Sequence, residues 1–103
     1  MKVSQFWCLL VCGAIGIHST WAGDWPQWRG ADRTDVSPET GLLKKWPENG
    51  PKRVWLNENV GLGYSGVSIV DGKLFTMGAR DDAEYLICLD ANTGEQKWEA
   101  KVG

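Results

Sequence analysis

The densest set of side chains able to do chemistry is Asp81, Asp82 and Glu84, three carboxylates within four positions. Carboxylates so close could hold calcium, but the cluster lacks the Asp-x-Asp-x-Asp-Gly spacing of a calcium loop and reads as a solvated connection between strands. Ser65, Ser68 and Thr76 carry hydroxyls. A hydroxyl becomes a nucleophile only beside a base, and the single histidine, His18, falls in the leader identified below. Gly61-Leu62-Gly63 and Tyr64-Ser65-Gly66 superficially resemble a phosphate loop, yet no Gly-Lys-Ser/Thr follows and no helix opens after them. Cys88 stands among Tyr85, Leu86, Ile87 and Leu89 with no cation near it in sequence, which is the setting of an inert core thiol. Trp25, Trp28 and Trp46 could form a stacking platform for a sugar, a polymer or a quinone. In a proline-rich stretch, however, tryptophans more often pin the chain to the surface it crosses. Arg29 and Arg33 are placed to stack on those rings or to meet acidic neighbours.

The elements that must position these residues follow a leader. Lys2 precedes an apolar run from Phe6 to Ile17, and Thr20-Trp21-Ala22 supplies small residues before a cut. This is the order of a secretory signal peptide, so residues 1–22 are expected to be removed after Ala22. The run of twelve residues, broken by Gly13 and Gly16, is shorter than the roughly twenty a membrane-spanning helix needs. Cys12 is preceded by Val11 rather than a small residue, which disfavours lipoprotein processing there. The leader takes Lys2 and no acid from eleven Lys+Arg and thirteen Asp+Glu, leaving ten against thirteen and a formal charge of −3. No basic patch remains to hold nucleic acid. Cys8, Cys12 and His18 leave too, so Cys88 has no partner for an internal disulfide. The expected location is periplasmic or extracellular, with no transmembrane segment in the mature chain.

Residues 23–52 form a Pro- and Trp-rich arm. Prolines at 26, 38, 47 and 51 interrupt any regular ladder. Glu39 to Lys45, preceded by Ser37 and Pro38, is expected to make one helical turn. From 53 onward the texture changes to short β runs: Arg53–Leu56, Gly66–Val70, Lys73–Met77, Tyr85–Leu89 and Glu95–Lys101. Asp71-Gly72 is a two-residue hairpin signal. Arg80–Glu84 reads as a polar connection, and Tyr85–Leu89 as a strand covered on both faces. Trp55 and Trp98 stand 43 residues apart, the period of a propeller blade.

Cys88-Leu89-Asp90-Ala91-Asn92-Thr93-Gly94-Glu95-Gln96-Lys97-Trp98 resembles the signature of pyrroloquinoline-quinone (PQQ) type propeller repeats, small-x-Asp-x-x-Thr-Gly-x-x-x-Trp. Ile69-Val70-Asp71-Gly72-Lys73-Leu74-Phe75 is similar to the first hairpin of that repeat. The likeness covers 64–103 well and 52–57 in part, and departs from the family at Cys88, where alanine is preferred. It implies an all-β fold, a β-propeller of four-stranded antiparallel blades, of which this chain holds about one blade plus one strand of another. Asp90 and Thr93 would bond following backbone N–H groups, and Gly94 would close the hairpin with a bulge. Trp98 would then lie across the adjoining blade. A buried Trp covers about 150–250 Å², and at about 25 cal/mol per Å² its docking contributes several kcal/mol. With about 81 mature residues and no further blade for Trp98, residues 23–103 alone are expected to be partly unfolded or to associate through open sheet edges.

The resemblance implies two functional classes: quinoprotein dehydrogenases that oxidise alcohols with PQQ and calcium, and cofactor-free propellers that bind proteins, such as outer-membrane assembly lipoproteins. Exported propellers similar to polyvinyl-alcohol dehydrogenases share the arm and first blade. No catalytic position of the dehydrogenases maps onto this chain, and the adjacent cysteine pair of some quinoproteins is absent from it. A protein- or ligand-binding scaffold therefore ranks first and a PQQ-dependent alcohol dehydrogenase second. No cofactor is expected in this piece, while PQQ and calcium remain expectations for a full-length enzyme. The expected partners are the remaining blades and proteins of the cell envelope. The end at Lys101-Val102-Gly103, directly after a strand, reads as a partial product or the remnant of a truncated frame.

Overall fold

The computed structural model describes residues 23–103. The expected leader, residues 1–22, lies outside the described residues. Four strands form one antiparallel sheet in chain order: β1 (Ser68–Val70), β2 (Lys73–Arg80), β3 (Ala83–Asp90) and β4 (Gln96–Lys101). The sheet is open and the described residues include no helix. No helix among them is long and apolar enough to cross a membrane.

Two-residue turns join β1 to β2 and β2 to β3. In the first, Asp71 and Gly72 take φ of 50° and 69°, as the Asp-Gly pair demands. In the second, Asp81 and Asp82 take φ of 50° and 59°. The expected polar connection at Arg80–Glu84 is therefore corrected to a tight turn of two residues, with Arg80 ending β2 and Ala83 opening β3. Two aspartates are a weak turn signal because each bears the left-handed conformation at a steric cost. Eight paired positions on each side, Lys73↔Asp90 through Arg80↔Ala83, hold the turn shut.

β3 is the interior strand, flanked by β2 and β4. Ile87, Cys88 and Leu89 are buried in succession. Neighbouring residues on a strand face opposite sides, so β3 is covered on both faces, as its apolar run anticipates. Cys88 lies between Phe75 on β2 and Trp98 on β4. The Phe75 and Trp98 rings are 6.0 Å apart and tilted by 54°, an arrangement that aromatic pairs favour. The β3–β4 register shifts at Cys88/Leu89, where Gln96 and Lys97 span one step of the partner. The bulge follows directly from the Gly94 turn.

Two further sequence expectations are corrected. Arg53–Leu56 makes no ladder, because a strand exists only where another pairs its backbone. Glu39–Lys45 makes no helical turn. Ser37 Oγ does accept the Glu39 amide at 3.3 Å, as a cap would. The chain nevertheless turns left-handed at Gly41, and the Glu39 carboxylate binds the Gly23 amide instead.

The arm and the loop before the sheet close its β1 side. Trp25 and Ile69 exchange two backbone hydrogen bonds of 2.8 and 2.9 Å. β2 outruns the short β1, and there Leu62 pairs with Ala79 through bonds of 3.0 and 2.8 Å. Gly78 makes this crossing feasible, since a methyl group there would occupy the space of the Val60 carbonyl.

Candidate functional site

The turn between β3 and β4 is built by its own side chains. The Asp90 carboxylate accepts the Asn92 and Thr93 amides at 2.8 and 3.1 Å, and Thr93 Oγ1 accepts the Glu95 amide at 3.3 Å. Backbone bonds from Gly94 to the Asp90 carbonyl and from Asp90 to the Glu95 carbonyl, both 2.8 Å, close the loop. The two amide donors, and then Lys97 with its Nζ at 3.4 Å, hold the Asp90 carboxyl below the usual carboxylate range. Gly94, at φ 74°, provides the left-handed step.

The hairpin turns meet. Ala91 donates to the Gly72 carbonyl at 2.9 Å, and Asp24 of the arm accepts the Asp71 amide at 2.9 Å. The structure thus brings together Asp71, Gly72, Asp90, Thr93 and Gly94 at one end of the sheet. Trp98 is displaced from this group onto β4, where it packs on Phe75 and remains 43% exposed.

The feature the sequence did not foretell is what covers the turn. The Trp55 indole lies against Gly94, so closely that any Cβ at 94 would overlap the ring. Trp55 Nε1 donates to the Ala91 carbonyl at 3.0 Å, and Asn57 Nδ2 donates to the Gly94 carbonyl at 2.8 Å. Asn57 is itself braced, its Oδ1 accepting the Asn59 amide at 2.8 Å. The 43-residue spacing between Trp55 and Trp98 carries no information on which turn the Trp55 ring covers. Asn57 gave no signal beyond its place in a loop.

The arm tryptophans divide. Trp25 pins the arm: its backbone pairs with Ile69, its ring rests on Gly30, and its Nε1 donates to the Trp28 carbonyl at 3.4 Å. Trp28 touches Gly66 with one ring edge yet is 81% exposed, and Trp46 is 65% exposed. Arg29 meets an acid, gripping both oxygens of Asp35 at 2.9–3.2 Å. At the other end of the sheet Arg80 lies 4.6 Å from the Tyr85 ring centroid and is paired with Glu99. Arg80, followed by Gln96, holds the Glu99 carboxyl below its ordinary range.

Asp81 and Asp82 serve as turn residues, and no three His, Cys, Asp or Glu among the described residues converge as a metal site. No polar or charged residue among them is buried. A quinone with calcium needs clustered oxygen ligands and a dry polar pocket, so the described residues by themselves do not fit that group. What the arrangement around Gly94 can do is hold polypeptide, through a glycine surface, two carbonyls and an indole.

Comparisons of the chain with protein-family models, curated proteins and solved structures give no match.

Proposed function

We propose that this chain contributes a blade to an exported propeller of the PQQ-repeat type that acts as a protein- or ligand-binding scaffold. One observation carries the reading: Trp55 and Asn57, from a segment that makes no ladder of its own, seal the Asp90–Gly94 turn of the four-stranded unit. Trp98 follows Trp55 by one repeat length and has a half-open ring. A matching turn from a further unit would cover it in the same manner, which is how repeat proteins stack. The proposed partners are those further blades and proteins of the cell envelope, and the proposed location is the periplasm or the exterior.

Scaffolding is favoured because the cover is an indole and a side-chain amide bonded to backbone carbonyls, while the Asp90 carboxylate and the Thr93 hydroxyl of the turn are engaged by backbone amides of the turn itself.

The test is a titration of PQQ, with calcium present, into the full-length protein, following tryptophan fluorescence and dye-linked alcohol oxidation together. The scaffold reading expects neither saturable quenching nor turnover from a folded protein. Saturable quenching accompanied by turnover would replace it with the dehydrogenase reading.

A further inference from the structure

The two sides of the sheet are treated differently. On the β1 side, Trp25 and Leu62 occupy the free backbone groups. On the other side, all six residues of β4 are exposed, and no bridge among the described residues covers its outer edge. A bare edge is a template for another strand.

We propose that β4 pairs edge to edge with β4 of a second copy of this chain, antiparallel about a two-fold axis at Ala100. The ladder fixes which groups face outward. Val102 donates to the Glu84 carbonyl at 2.8 Å, so its N–H points towards β3. Alternate residues of a strand share that direction. Trp98 and Ala100 therefore face β3 with their backbone groups, while Glu99 and Lys101 offer theirs to the free side.

Two-fold pairing must match outward residues with outward ones, so the axis passes through a residue and not between two. An axis at Glu99 sets Glu99 against its own copy and Lys97 against Lys101; an axis at Lys101 sets Lys101 against itself. Like charges directly opposite are unfavourable. An axis at Trp98 would carry the ladder across the bulge at Gln96 and Lys97. An axis at Ala100 sets Glu99 opposite Lys101 twice, with the small Ala100 pair between them.

The side chains are free for this. Arg80 and Gln96 both bind Glu99 Oε2, leaving Oε1, and Lys101 makes no ion pair among the described residues. Guard charges that repel every strand need only one sign, whereas the alternation here selects a self-complementary partner. The bulge limits the ladder to about five residues a side, so the pair is closed and weak, at the small end of interface sizes.

Sedimentation equilibrium of the purified chain over a concentration series tests the pairing. Wild type should show a reversible monomer–dimer equilibrium. K101E places two carboxylates in each pair and should raise the dimer Kd by about tenfold or more. E99K should do the same with two ammonium groups, and an equimolar mixture of the two variants should associate again because both pairs regain opposite charges. Lys101→Pro removes an outward donor without touching the β3 ladder and should abolish the dimer, which keeps the test open if E99K, having lost Arg80, fails to fold. Far-UV circular dichroism checks each variant. A wild type that stays monomeric, that forms open-ended aggregates, or whose dimer is indifferent to K101E overturns the proposal. So does a mixture of folded variants that fails to associate.

Discussion

Gly94 carries two constraints that ordinarily appear apart. Its φ of 74° penalises any side chain, and the Trp55 ring occupies the volume a side chain would need. Gly94→Ala should therefore cost about 2 kcal/mol or more, from the left-handed conformation plus displacement of the indole. Trp55→Phe keeps most of the ring but loses the donor to Ala91, and should cost about 1 kcal/mol. Urea unfolding followed by far-UV circular dichroism would compare them. If Gly94→Ala were as stable as wild type, the ring would not be seated on the turn. Asp90, Thr93 and Gly94 were legible as a turn in the sequence because each bonds within a few residues of itself. Trp55 could be recognised as important, but its seat 36 to 39 residues away could not.

At the scale of elements, the hairpins show how a strong ladder tolerates a weak turn. Asp71-Gly72 announces its turn, whereas Asp81-Asp82 relies on the eight-residue strands on either side. Replacing Asp82 by glycine removes the steric cost at φ 59° but adds freedom to the unfolded chain, for a net gain of about 0.5 kcal/mol. Asp82→Val, branched at Cβ, should instead cost about 1–2 kcal/mol. Thermal midpoints measured side by side should move in opposite directions. A common direction would mean the turn is not left-handed. The strand ends at Arg80 and Ala83 were hidden because polar residues dominate that stretch, and polarity alone does not separate a long loop from an exposed tight turn.

For the whole molecule, the described core is small: Ala83, Ile87, Cys88 and Leu89 are its buried apolar residues. Trp98, Val54, Leu62 and Tyr64 remain exposed. So little burial gives a weakly cooperative domain, and association of the folded form stabilises it by mass action. The chain should melt in a broad transition whose midpoint rises with chain concentration. A sharp transition independent of concentration, from a monodisperse monomer, would contradict both the small core and the pairing through β4.

The sequence by itself determined the four runs that become the sheet, the interior position of β3 and the make-up of the Asp90–Gly94 turn. Those features depend on alternation, on apolar content and on bonds between near neighbours. Tertiary structure alone decided that Arg53–Leu56 makes no ladder, that Glu39–Lys45 makes no helix, and that Trp55 and Asn57 close the turn. A strand without a partner, a helical turn broken by a left-handed glycine, and a ring docked across a long loop all depend on groups distant in the chain. Local pattern carries no record of which distant group arrives.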